Sequence, residues 1–283
     1  MGSLLPPHVT NDTPDDYYRG KWVLVTGAGM PGRIGAAIAK RFTSHGANIY
    51  IHELRSLPGV GEVLDGVLTA GARSGATAEV VFGDLTKPSV VEKIFSYITP
   101  DVVINNAGVF RAAVVHEHMS RADYLSAHEE AFDLNVAANM KTAFMVTEAA
   151  VHYLKHAQKE GVILFAGDAF IERTGSYPRN LAAYTASKAF IPAVVRQFAK
   201  QHGREGIRFL GVLNGTIEPP PSAPQSTIEH MQREIPLPSR LLNPWLGADA
   251  IAEAIDHLIR MQTVNGTTLT VDGGRTWTTK EEF

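Results

Sequence analysis

A short apolar, β-rich run, Trp22-Val-Leu-Val-Thr26, passes directly into Gly27-Ala-Gly-Met-Pro-Gly-Arg-Ile-Gly35, and helical periodicity then runs from Ile34 to Ser44. This strand, Gly-rich turn and helix constrain the fold more than any other stretch. Glycines let the backbone turn sharply and approach a ligand closely. The first turn of the helix adds free N–H groups and the positive end of its dipole. In that setting a Gly-rich turn reads as a cradle for a pyrophosphate, whereas the same glycines in a loop would carry little weight.

The rest of the chain repeats the alternation. Apolar runs predict strands at Asn48–His52, Ala78–Phe82, Val102–Asn105, Val162–Ala166, Arg208–Leu213 and Thr268–Val271. Between them, periodicity predicts helices over Val60–Ala70, Ser89–Tyr97, one long helix over Ala127–His156, then Ala182–His202 and Ala248–Met261. Continuous apolar strands alternating with helices indicate an α/β fold of doubly wound, Rossmann type, its parallel sheet covered by helices on both faces. Residues 1–20, with Pro6, Pro7 and Pro14, read as a flexible arm, residues 21–283 as a single domain, and about 215–245 as a substrate loop.

With 45% hydrophobic residues the chain can bury a large core, and a formal charge of −3 gives no electrostatic basis for binding nucleic acid or an anionic membrane. No apolar run is long enough to span a bilayer, and no secretory leader is visible, so a cytoplasmic protein is expected. The absence of cysteine excludes disulfides and thiolate metal sites. His116-Glu-His118 has metal-ligand chemistry but no evident third ligand, so these residues read as solvated and no metal is expected.

Tyr184 and Lys188 are four residues apart, which places them on one face of a helix. An ammonium beside a phenol favours the phenolate and should draw the Tyr184 pKa from about 10 towards neutrality. A phenol tuned in this way can exchange a proton with a substrate oxygen or nitrogen. At the end of the second strand, Glu53 could accept hydrogen bonds from ribose hydroxyls, while Arg33, Arg55 and Ser56 could meet a 2′-phosphate. Two basic groups against one acid favour NADP(H) over NAD(H). Asp84, with Leu85, could meet an adenine amino group, and Asn105-Asn106-Ala107-Gly108 opens the mouth of the sheet with small residues. Phe110, Arg111, Phe170, Tyr177 and Pro219 are candidates for the substrate site, the two Phe rings as stacking partners for a flat molecule.

Together these residues resemble the short-chain dehydrogenase/reductase family over about Lys21 to Arg275. The marks are the Thr26-Gly27 start of the turn, Asn105-Asn-Ala-Gly108, Asn135 in Leu-Asn-Val, Tyr184-x-x-x-Lys188 and Val271-Asp-Gly-Gly274. The resemblance implies a seven-stranded sheet of order 3-2-1-4-5-6-7, a nicotinamide cofactor, and hydride transfer at a carbonyl or imine carbon. It implies Tyr184 as proton donor, Lys188 as the group that lowers its pKa and binds the nicotinamide ribose, and Asn135 as holder of a relay water. It also implies cofactor contacts from Gly27, Gly29, Ile34, Gly35 and Gly215, and a homotetramer or dimer. Within the family, Arg33-Ile-Gly35, His52-Glu-Leu-Arg55-Ser56, Gly167-Asp-Ala169 and Pro236-Leu-Pro-Ser-Arg240 look like the pteridine and dihydromonapterin reductases.

Three departures stand out. The Gly-rich turn carries two extra residues, Met30-Pro31. Asn214-Gly215 replaces the usual Pro-Gly after the sixth strand, with Pro219-Pro-Pro221 following. The usual catalytic Ser is missing: strand-end registry puts Asp168 in its place, with Ser176, eight residues before Tyr184, as the other polar candidate. A carboxylate opposes the negative charge of a reduced ketone oxygen but stabilises a protonated imine. The expected activity is therefore NADPH-dependent reduction of C=N in a cyclic imine, pterin or related heterocycle. The alternatives are a ketone/alcohol oxidoreductase, or a non-redox cyclase, isomerase or sensor on the same fold.

Overall fold

The computed structural model describes residues 16–172, 180–215, 225–226, 228–229 and 247–277. Ser176, Tyr177, Pro219 to Pro221 and Pro236 to Arg240 lie outside the described residues, as does most of the expected substrate loop.

Seven strands form one sheet of order β3-β2-β1-β4-β5-β6-β7. They are β1 Trp22–Thr26, β2 Asn48–Glu53, β3 Ala78–Phe82, β4 Val102–Asn105, β5 Gly161–Asp168, β6 Ile207–Asn214 and β7 Thr267–Val271. Every neighbouring pair is parallel. The helices are α1 Ile34–Ser44, α2 Gly59–Gly71, α3 Pro88–Phe95, α4 Arg121–Asn135, α5 Thr142–His156, α6 Ala182–His202 and α7 Ala248–Arg260.

Both sheet faces are covered, which is why the strands read as unbroken apolar runs. On one face α1, α2 and α7 contribute Ile38, Phe42, Val67 and Ile255 to a core against Val23, Val25 and Ile51. On the other, α3, α5 and α6 contribute Val91, Val146, Leu154 and Phe198 against Leu24, Val103 and Phe165. The order reverses at β1 and β4, whose neighbours lie on opposite sides. The crevice at their carboxyl ends is where this architecture places a ligand.

The arm expected over residues 1–20 is fixed at its end. Tyr18 is fully buried, its ring 4.7 Å from that of Phe42, and its hydroxyl donates to Asp256 Oδ1 at 2.9 Å. The apolar surface and a buried acceptor on α7 hold this turn, a long-range contact that local composition does not reveal.

The long helix expected over Ala127–His156 begins earlier and is not continuous. Ser120 caps α4, its Oγ accepting from Asp123 N at 3.1 Å. Between α4 and α5 lies one π-helical turn, Val136–Lys141. Thr142 Oγ1 donates to Ala137 O at 3.1 Å and satisfies a carbonyl loosened by that turn. The start was missed because α4 has almost no apolar stripe: Tyr124, Leu125, Phe132 and Leu134 are all exposed.

Candidate active site

The crevice encloses a cavity of about 630 Å³ running from Gly27 and Gly35 past Asn106 and Gly108 to Tyr184 and Lys188. Its floor is two loops sewn together. Thr26 Oγ1 accepts from the backbone N–H groups of Asn106 and Ala107, both at 3.0 Å. Asn106 Nδ2 returns two bonds of 3.0 Å to the carbonyls of Thr26 and Gly27. Side chains would not fit at the seam. A Cβ at Gly27, whose φ is +64°, would lie 2.8 Å from Ala107 Cα. One at Gly35 would lie 2.7 Å from Gly27 O. Backbone pared to this degree, opening a helix N-terminus, fits a dinucleotide laid across it.

The adenosine end differs from the sequence reading. Glu53 is a clip: Oε2 accepts from Gly29 N at 3.1 Å and Oε1 from Leu54 N at 3.0 Å. The extra Met30-Pro31 folds towards the start of α2, where a Cβ on Gly59 would meet Pro31 Cδ at 2.5 Å. Arg33 and Ile34 line the cavity, whereas Arg55 and Ser56 sit on exposed backbone beyond it. Asp84 and Leu85 line it as expected. Hydrogen bonds from the Thr86 hydroxyl and backbone hold the Asp84 carboxyl below its usual pKa. His52, which the sequence reading gave no role, also lines the cavity. It donates through Nε2 to Gly83 O at 2.9 Å, and burial lowers its pKa.

At the other end the first residues of α6 turn Tyr184 and Lys188 into the site, and both are buried. β5 reaches Asp168 as its last residue, paired in register with Asn214. The Tyr184 hydroxyl donates directly to Asp168 Oδ2. The carboxylate is held by Phe170 N, which donates to Oδ1 at 2.9 Å. The Phe110 ring stands edge-on to Tyr184 at 4.7 Å. The expected fall in the Tyr184 pKa does not occur. Burial and the Asp168 carboxylate push it far above the usual phenol value. Burial lowers the Lys188 pKa, with Asp168 pulling the other way. An ammonium alone would lower the phenol pKa; folding adds burial and an anion in direct contact with the phenol.

The Asn assignment moves by one turn. Asn135 is buried, but its Nδ2 is spent on Arg111 O at 2.8 Å and Ala131 O at 2.7 Å. Asn139, within the π turn, sits against the site. Its Oδ1 accepts from Val109 N at 2.7 Å, and its Nδ2 donates to Val109 O at 3.0 Å and Ser187 Oγ at 2.8 Å. A Cβ on Gly108 would lie 2.6 Å from Asn139 Oδ1 and 3.2 Å from Lys188 Nζ, so both groups press on one backbone position. The Leu-Asn-Val motif singles out Asn135, but Asn139, flanked by Ala138 and Met140, lies four residues on, and the π turn brings it to the wall beside Gly108.

Two substrate candidates, Arg111 and Phe170, and one expected cofactor contact, Gly215, lie away from this cavity. Arg111 pairs with Glu130 at 2.9 Å on an exposed surface and does not line the cavity. Phe170 and Gly215 line a separate small cavity behind Asp168. Among the described residues no cluster of His, Asp or Glu could hold a metal ion, His116 and His118 included.

Comparison with known proteins fits this geometry. Residues 27–276 match the family model described as enoyl-(acyl carrier protein) reductase. Oxidoreductase UcpA of Escherichia coli K12 is 27% identical over 91% of this chain and 95% of its own length. The 3beta-hydroxysteroid dehydrogenase 1 of Eggerthella lenta is 28% identical over 92% and 95%. A crystal structure from Agrobacterium tumefaciens, described as that of a candidate 2-deoxy-D-gluconate 3-dehydrogenase with bound NADP, superposes with a TM-score of 0.75. It is 25% identical over 94% of this chain and 100% of that one. The chain belongs to the short-chain dehydrogenase/reductase family and is an NAD(P)-dependent oxidoreductase.

Proposed function

We propose that this chain reduces a carbonyl compound to an alcohol with NADPH, or runs the reverse oxidation, using Tyr184 as the proton donor. The observation that carries this reading is a buried phenol, with Lys188 on the next turn of the same helix, at the end of a crevice whose Gly27–Gly35 cradle suits a dinucleotide. The dehydrogenase relatives act, by name, at hydroxyl-bearing carbons, which supports carbonyl/alcohol chemistry.

The nicotinamide, when bound, supplies the hydride. The protein does the rest. Gly27, Gly35 and Asn106 form the diphosphate floor, and Arg33, exposed on the cavity wall, is placed to meet a 2′-phosphate. The Glu53 carboxylate, already bonded to two backbone amides, opposes that phosphate less than a free one would. Tyr184 gives its proton to the substrate oxygen, and the Lys188 ammonium stabilises the tyrosinate that forms. Asn139 keeps the Gly108–Val109 wall in place, and Phe110 covers the phenol.

A second reading, reduction of C=N in a cyclic imine or pterin-like ring, is favoured by one observation. Asp168 lies against the Tyr184 hydroxyl, where an anion stabilises a protonated imine and opposes a forming alkoxide. The resemblance to pteridine reductases points the same way. The exposed apolar side chains of Tyr124, Leu125, Phe132 and Phe144 on α4 and α5 suit contact with a second copy, consistent with a homotetramer or dimer. A cytoplasmic, single-domain enzyme completes the reading. NADPH consumption measured against ketones, aldehydes, cyclic imines and pterins tests it. Turnover of ketones but not imines supports the first reading, the reverse pattern supports the second, and no turnover of either class removes both.

A further inference from the structure

We propose that Asp168 is the anionic partner of Lys188 and holds the proton on Tyr184, so that Tyr184 remains a loaded acid throughout the working pH range. This rests on the reading of Tyr184 as proton donor. It differs from the arrangement expected of a Tyr and Lys alone, in which the ammonium is balanced by the phenolate.

The geometry separates the two influences on Tyr184. The Asp168 carboxylate accepts directly from the phenol, and its position is fixed by the strand register and by Phe170 N. Lys188 shares the helix face, and among the described residues no carboxylate touches it, so Asp168 is the negative charge that reaches it. Coulomb interaction falls with distance, and the group in contact dominates. Burial works in the same direction, since a desolvated phenolate beside a carboxylate is doubly disfavoured.

Among the described residues no other charge reverses this. The loop after β4 puts the uncharged Asn106 to Phe110 on the cavity wall, and the π turn puts the uncharged Asn139 against Gly108. Arg111 is paired with Glu130 at the surface, and Glu172 accepts from Thr270 Oγ1. Asp272 and Arg275 line the small cavity together with Asp168, a cavity that Tyr184 does not line.

The consequence is a pH profile. The enzyme leaves the overall equilibrium untouched but sets where each direction bends. Reduction uses the phenol and stays flat into alkaline pH. Oxidation uses the phenolate and rises about tenfold per pH unit without reaching a plateau. In each reductive turnover one proton leaves Tyr184 Oη for the substrate, and one returns from solvent.

The direct test is spectroscopic and needs no cofactor. Tyrosinate absorbance is titrated from about pH 7 to about pH 11 in the parent and in Tyr184→Phe, and the difference isolates Tyr184. The parent should show no Tyr184 ionisation below about pH 10. In Asp168→Asn, and in Asp168→Ser should the first variant not fold, ionisation should appear at least about one unit lower than in the parent. The reduction profile should then gain an alkaline fall. Ionisation of Tyr184 near neutrality in the parent, or at the same pH in the parent and variant, overturns the proposal. The underlying reading fails differently: it falls if Tyr184→Phe still turns over at the parent rate, whatever Tyr184 titrates at.

Discussion

Replacing Gly35 by Ala tests how tightly the cradle is built, because two effects of opposite sign meet at one residue. Gly35 lies in the first turn of α1, and Ala in a helix is favoured over Gly by about 1 kcal/mol. Against this, the new Cβ would lie 2.7 Å from both Gly27 O and Asn106 Nδ2 and 2.8 Å from Ala28 Cα. Two of these neighbours are backbone and cannot swing aside, and such overpacking costs about 1–3 kcal/mol. The third is the amide that sews the loops together, and losing one of its bonds costs about a further 1 kcal/mol. The clash wins by about 1–3 kcal/mol, and most of it falls on the surface that receives the diphosphate. The expected result is cofactor affinity weakened about 10- to 100-fold and a Tm lowered by about 3–8 °C. Fluorescence titration with NADPH and a thermal melt read the two quantities. Gly66→Ala in α2 is the control, since nothing lies within 4 Å of its Cβ and only the helix gain remains. That variant should melt about 2–4 °C higher with unchanged affinity. If Gly35→Ala behaves like Gly66→Ala, stabilised and binding normally, the account of the cradle is wrong.

Asn139→Ala should leave Val109 without its side-chain partners, release the wall beside Lys188 and lower kcat/KM about 10- to 100-fold. Asn135→Ala, by contrast, should lower Tm while keeping kcat/KM within about threefold; equal losses of turnover would contradict the assignment. Far from the site, burial raises the Asp256 carboxyl pKa, but hydrogen bonds from His45, Arg260 and Tyr18 outweigh it and hold the group below its usual range. A depressed folded pKa gives stability that is present above the unfolded value of about 3.9 and is lost progressively as pH falls from there through the lower folded value. Asp256→Asn should therefore cost about 3 kcal/mol at neutral pH, and the deficit against the parent should shrink below about pH 4 in chemical denaturation. A deficit that stays constant with pH would show that the lost interaction is not ionic.

The strand–helix alternation was legible because burial of the sheet on both faces leaves unbroken apolar runs, and strand-end registry was enough to place Asp168. The Tyr184–Lys188 pairing was legible because i, i+4 spacing on a helix is local. What the sequence hid depends on partners distant in the chain. The Tyr184 pKa moves up instead of down because folding buries the phenol and brings a carboxylate 16 residues away into contact with it. Arg111 left the pocket because Glu130 captured it, and Tyr18 was taken for part of a loose arm because its acceptor, Asp256, is 238 residues away. Asn139 could have been found: the π turn leaves no sequence mark, but a second Asn one turn after the first was visible. Glu53 was weighed only as a ribose ligand, because its bond to Gly29 N exists only once the turn has folded back on β2.

The central claim is that Tyr184 delivers the proton in a cofactor-dependent reduction. The measurement that tests it most directly is kcat/KM for NADPH-dependent reduction by Tyr184→Phe, beside NADPH affinity in the same protein. The phenylalanine keeps the ring and its packing against Phe110 and removes only the hydroxyl. The account predicts a loss of about 100- to 10,000-fold in kcat/KM, with cofactor affinity within about threefold of the parent. Turnover at the parent rate with tight NADPH binding would contradict it.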